Sequence, residues 1–193
     1  MSHKLLVALR ERTHTLHHEL DHHPMMALLL QPQVEASAYA NTLAWLYPLQ
    51  AAFEQQLTRS LPLRIPMLAL APRLPALEQD LQQLNTAPQQ LPEAVLAEFS
   101  VANVPTVGTI AGMLYVLNGA RLGSAHIARR LQQTSPDLPC QYFAQANGAM
   151  HWPQTLDVLE NLPMSEYSDC QQAAEQVFRG YILTMNYAQR HTK

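Results

Sequence analysis

The chain has 193 residues, of which 48% are hydrophobic and 14% charged, and its formal net charge is −3. That length suits one domain over residues 1–193 with a sizeable core, and a mildly acidic chain with no basic cluster larger than Arg129-Arg130 argues against nucleic-acid binding. No apolar run approaches the roughly 20 residues of a membrane span and residues 1–12 lack the build of a secretory leader, so the expectation is a cytoplasmic protein with no membrane partner.

The first periodic segment places Leu5, Leu9, Leu16 and Leu20 on one stripe with Thr13, which predicts a helix from about Lys4 to Asp21, stopped before Pro24. A short apolar piece, Met25 to Leu30, ends at Pro32. Tyr39, Leu43, Leu46, Leu49, Phe53 and Leu57 predict a second helix, kinked at Pro48, with Pro62 and Pro66 closing a loop. Leu74, Leu77, Leu81 and Leu84 mark a third, ended by Asn85 and Pro88. Pro92 opens a short one to about Phe99. Val104 to Gln133 is the longest pattern. Further helices are expected around Gln141 to Asn147, from Trp152 to Leu162, and from about Ser168 to Gln189. No alternating segment reads as a strand. The fold class is therefore all-α, a single-domain multi-helix bundle. Cys140 and Cys170 are isolated, without CxxC spacing, and are read as packing or surface thiols.

Five histidines crowd the first helix and its end: His14, His17, His18, His22 and His23. His14, His18 and His22 follow i,i+4 spacing and project outward, so a divalent metal is one reading of that face and plain solvation another. A metal site wants three or four ligands with an organised second shell, and no matching Glu or His pair stands on another helix. Helix phase sets His17 apart, next to the apolar stripe and expected to be buried. One buried histidine fits an axial heme ligand; a core histidine without a ligand role fits equally.

Gly108, Gly112, Gly119 and Gly123 fall in one predicted helix, although each interior glycine costs roughly 1 kcal/mol relative to alanine. Gly119 and Gly123 share a face, and Ala120, Ser124 and Ala125 extend a side-chain-poor surface. Either another helix packs very closely there, or a flat ligand lies against the backbone.

Together the two helices resemble the heme oxygenase family, particularly its bacterial biliverdin-producing branch. The run Leu9-Arg10-Glu11-Arg12-Thr13-His14-Thr15-Leu16-His17 is similar to that family's opening motif, and His17 falls on the position of the proximal ligand. Tyr115-Val116-Leu117-Asn118-Gly119-Ala120-Arg121-Leu122-Gly123-Ser124 resembles its distal helix, in which glycines lie against the heme face. Residues 73–84, Trp152 and the closing helix through Phe178 fit more loosely, so the likeness runs in order along nearly the whole chain. Three departures stand out: Ser124 where many members have a second glycine, Ala120 where animal-type enzymes carry Asp, and Asn118 where bacterial relatives often carry Glu.

The resemblance implies an oxidoreductase for which heme, iron protoporphyrin IX, is both cofactor and substrate. It implies dioxygen and electrons from an external donor such as a ferredoxin or a flavin reductase, and biliverdin, iron and carbon monoxide as products. His17 would hold the iron. Gly119, Gly123 and Ser124 would line the distal side, where Asn118 and backbone carbonyls would hold ordered water. Arg10, about two turns before His17, would meet a propionate or else be a solvated arginine; Arg179 is a weaker candidate for that role. Phe178 would touch the heme edge or serve as plain core. The missing distal carboxylates leave open a non-enzymatic heme-binding, sensing or storage protein on the same fold, active as a monomer or homodimer. Thiamin-degrading enzymes and di-iron oxidases share the architecture, but the inward carboxylates the latter need are not seen.

Overall fold

The computed structural model describes residues 3–65, 71–99, 105–145 and 148–191. Among them there are helices and turns but no strand. The helices are α1 (His3–His22), α2 (Pro24–Ala27), α3 (Ala36–Arg64), α4 (Leu74–Gln83), α5 (Glu93–Glu98), α6 (Val107–Thr134), α7 (Gln141–Ala144), α8 (Gly148–Glu160) and α9 (Tyr167–His191). No described helix is long and apolar enough to cross a membrane. The all-α expectation holds.

α3 contains Pro48, expected inside the helix as a kink, and Pro62, expected to close it. α3 runs unbroken through Pro48. A proline there cannot donate to the carbonyl of Ala44 one turn earlier, and that carbonyl instead accepts the backbone N–H of Gln89 at 3.1 Å. The orphaned acceptor is satisfied by a loop, so the helix survives. α3 also continues past Pro62 to Arg64, so the expected loop begins later; Pro66 lies outside the described residues. These continuations make α3, at 29 residues, slightly longer than α6, at 28, against the expectation that the glycine-bearing helix is longest. α7 ends at Ala144, short of the expected Asn147, and α8 starts at Gly148, before the expected Trp152.

α9 is the central support. α6 and α1 both pack along it, and α8 lies against both α6 and α1. Leu5 and Leu9 of α1, Ile110, Met113 and Leu114 of α6, and Ala173, Val177 and Met185 of α9 are all buried. The start of α6 is pinned onto the region that opens α9. Thr106 caps α6 by accepting from the Thr109 N–H and donates its own hydroxyl hydrogen to Asp169 at 2.9 Å. The Gly108 N–H donates to Glu166 Oε2 at 2.8 Å. Both carboxylates sit where a helix N-terminus favours negative charge.

Candidate functional site

The four glycines of α6 divide into two pairs with different reasons. A Cβ on Gly108 would fall onto the carbonyl oxygen of Glu166, and one on Gly112 onto that of Cys170. These two let α6 lie directly on the start of α9, so close helix packing explains them. Gly119 and Gly123 are otherwise. A Cβ at Gly119 would meet only the tip of the Trp152 ring, at 3.5 and 3.9 Å, which is ordinary contact. Among the described residues, a Cβ at Gly123 would meet nothing within 4 Å. No described backbone outside α6 approaches this pair, so the packing of the described residues does not require them. The exposed positions Ala120, Leu122 and Gly123 make this a bare, largely apolar stretch of helix surface, while Ala125, also exposed, lies farther round the helix.

Ser124 does not belong to that surface. It is buried on the opposite side, where its hydroxyl accepts from Arg73 Nη2 at 2.9 Å and donates to the Ala120 carbonyl at 2.9 Å. Asn118 is buried too, and its amide nitrogen donates to Thr155 of α8 at 2.9 Å, so that nitrogen serves helix packing.

His17 is not the buried histidine. Its side chain is 62% exposed, because the stripe of α1 turns inward through Leu5, Leu9 and Thr13 and leaves residue 17 on the rim. Its ring meets Phe178 of α9 edge-on, with centroids 5.5 Å apart. Its Nδ1 lies 2.9 Å from Asp21 Oδ2. A carboxylate only accepts, so Nδ1 carries the hydrogen, and the lone pair of the neutral ring sits on Nε2. That is the tautomer a metal needs, held by a carboxylate partner. Phe178, buried at 6% exposure, is at once core and the wall beside His17. Arg10 is exposed on α1, and Arg179 is exposed on α9.

The buried histidine is His23, whose Nδ1 accepts from the Met25 N–H and caps α2. Burial lowers its pKa, partly offset by the neighbouring Asn186 and Glu19 side chains. On the outer face of α1 the rings of His18 and His22 stack at 4.0 Å. Among the described residues no three His, Cys, Asp or Glu side chains converge to hold a metal.

Behind α6 lies a buried polar circuit that the sequence did not reveal. Arg73 donates its backbone N–H to Glu54 Oε1 at 2.5 Å and Nη2 to the Tyr142 carbonyl at 2.8 Å. Its guanidinium carbon lies 3.9 Å from the centre of the Tyr142 ring. The Tyr142 hydroxyl donates to Gln50, and Gln50 donates to Glu54. Asp80 accepts the N–H groups of Gln141 and Tyr142 at 2.9 and 2.8 Å and so fixes the start of α7. Arg121 donates to the Ala71 carbonyl. Burial, and then the neighbouring Arg73 cation, bring the Arg121 pKa down to about 10. The one local hint in the sequence was the i,i+4 pair Gln50 and Glu54; every other link joins distant segments.

The sequence model of the heme oxygenase family matches residues 3–186. A protein of Xanthomonas campestris pv. campestris named heme oxygenase is 35% identical over 126 residues, spanning 64% of this chain and 72% of that one. Among solved structures, the chain resembles the heme oxygenase of Neisseria meningitidis, solved with NO and CO bound, with a TM-score of 0.73 at 21% identity over 95% of this chain and 91% of that one. It resembles equally heme oxygenase-1 of the cyanobacterium Synechocystis in complex with heme, with a TM-score of 0.73 at 17% identity over 97% and 92% of the two chains.

Proposed function

This chain belongs to the heme oxygenase family, and from that premise we propose that residues 1–193 act as one domain that binds heme through His17 and opens it to biliverdin, iron and carbon monoxide. The observation that carries the reading is the Gly119–Gly123 pair, two helix-interior glycines whose missing side chains no contact among the described residues requires. Room kept beside a helix backbone at a cost in helix stability suits a flat macrocycle lying against it.

When bound, heme supplies the iron that activates dioxygen and the macrocycle that is cleaved. His17 offers Nε2 as a neutral imidazole ligand, without the strong electron push of a thiolate. Asp21 orients the ring and raises the basicity of Nε2 by accepting from Nδ1–H. Phe178 limits the rotation of the ring from the α9 side. Gly119 and Gly123 would line the other side of the macrocycle, where they leave no side chain to obstruct the reacting edge. Arg10, exposed about two turns before His17, pairs with a propionate by charge. The residues at 118 and 120 are not acidic, so distal protons would have to come through water held by backbone carbonyls and by the Asn118 side-chain oxygen, its nitrogen being engaged by Thr155. Electrons come from an external donor protein, a ferredoxin or a flavin reductase, in the cytoplasm, with the chain working as a monomer or homodimer.

The test is hemin uptake followed by reduction in air. The expected result is a histidine-type Soret band that disappears as biliverdin forms. The absence of Asp or Glu at positions 118 and 120 favours one competing reading, a heme store or sensor on the same fold. A Soret band that persists through reduction and air, with mere autoxidation, decides for that alternative.

A further inference from the structure

The Gly119–Gly123 backbone has little on its open face to hold it still, so it has to be fixed from behind. Two buried side chains on that rear side, Arg121 and Ser124, both reach the segment just before α4. Arg121 donates to the Ala71 carbonyl, and Ser124 accepts from Arg73. Residues 71–73 thus grip α6 at two points one turn apart. A hydroxyl carries one hydrogen. Because Ser124 Oγ accepts from a cationic donor, its hydrogen is directed to the Ala120 carbonyl, within the bare stretch itself. Arg73 is held in turn by Glu54, by the Tyr142 carbonyl and by stacking on the Tyr142 ring.

We propose that Arg73 is a positioning residue that fixes the Gly119–Gly123 backbone through the Ser124 hydroxyl, and so sets how the macrocycle edge is presented for cleavage. The inference rests on the heme reading above. It also gives Ser124 a purpose: the glycine often found at this place in the motif it resembles would sever the link.

Hydrogen exchange of the chain without heme is the first readout. Ser124→Ala and Arg73→Met are each expected to speed exchange of the amides of residues 120–125 about tenfold, as the loss of a charge-assisted bond implies. The amides of residues 43–57 in α3 should be unchanged. The double variant should be no faster than the faster single, because both remove one link. Arg73→Lys keeps a cationic donor and should lie closer to the unaltered chain. Should Arg73→Met fail to fold, Ser124→Ala, which removes a single oxygen, carries the test. The second readout is the mixture of biliverdin isomers, which should broaden in both variants while the His17-type Soret band is retained.

Uniform acceleration across the chain, additive effects in the double variant, or unaltered exchange at 120–125 overturns the inference. Local acceleration in a chain that takes up no hemin overturns the heme reading and leaves the anchor standing. Hemin cleavage with unaltered exchange and isomers in both variants does the reverse.

Discussion

Replacing the glycines of α6 by alanine separates those kept for the fold from those kept for a ligand. An alanine in a helix interior is about 1 kcal/mol more favourable than glycine. Among the described residues the added methyl meets nothing within 4 Å at Gly123, and at Gly119 only the Trp152 ring at 3.5 Å, so nearly the whole gain is available at each. Gly119→Ala with Gly123→Ala should stabilise the heme-free chain by roughly 2 kcal/mol, a rise in Tm of roughly 4–8 °C for a chain of this size. Gly112→Ala should do the opposite. Its methyl lands on the Cys170 carbonyl, α6 and α9 must part, and the cost is about 1–3 kcal/mol. Calorimetry without heme reads both effects. With hemin bound, the stabilised variants should form biliverdin roughly ten to a hundred times more slowly, because a methyl displaces the macrocycle edge from its reactive geometry. A Gly123→Ala protein that loses stability refutes the packing argument. One that gains stability and still makes biliverdin at the original rate refutes the reason given for the glycine.

Other outcomes follow from the same geometry. His17→Ala should abolish the histidine-type Soret band, with added imidazole restoring it. Asp21→Asn should change folding stability by less than about 1 kcal/mol, since the pair is exposed, yet raise the reduction potential of bound heme by weakening His17 as a donor, as spectroelectrochemistry would show. Asp80→Ala should cost about 2–4 kcal/mol in urea unfolding, because the Gln141 and Tyr142 N–H groups lose their acceptor. His23 has a folded pKa below its ordinary 6.5. Between those two values the unfolded chain binds more protons. Its contribution to stability is therefore present above pH 6.5, falls as pH drops from there and levels off below the folded pKa. His23→Gln should flatten that part of the profile of urea midpoint against pH.

The helices were legible because leucines recur at a 3.6-residue period in a chain rich in Ala and Gln, and the resemblance carried by the 9–17 and 115–124 segments led to the family. What failed to read through was whatever depends on partners distant in sequence. Nothing beside Pro48 in the sequence tells that the Ala44 carbonyl it orphans is taken by the Gln89 N–H. His17 looks buried if Leu16 and Leu20 are taken as fully inside, yet both are half-buried and the stripe closes at Thr13. Ser124 looks like one more small residue beside Gly123, but the 100° step of a helix turns it to the rear, onto Arg73, an arginine 51 positions earlier. Gly108 and Gly112 are indistinguishable in sequence from Gly119 and Gly123; only the carbonyls of Glu166 and Cys170 tell them apart.

A crystal structure of the hemin complex bears most directly on the central claim. Iron bonded to His17 Nε2, with the opposite face of the macrocycle lying on the backbone of residues 119–123, is the expected result. Iron held by another side chain, or a macrocycle resting elsewhere on the surface with Gly123 still facing solvent and Gly119 still against Trp152, contradicts it.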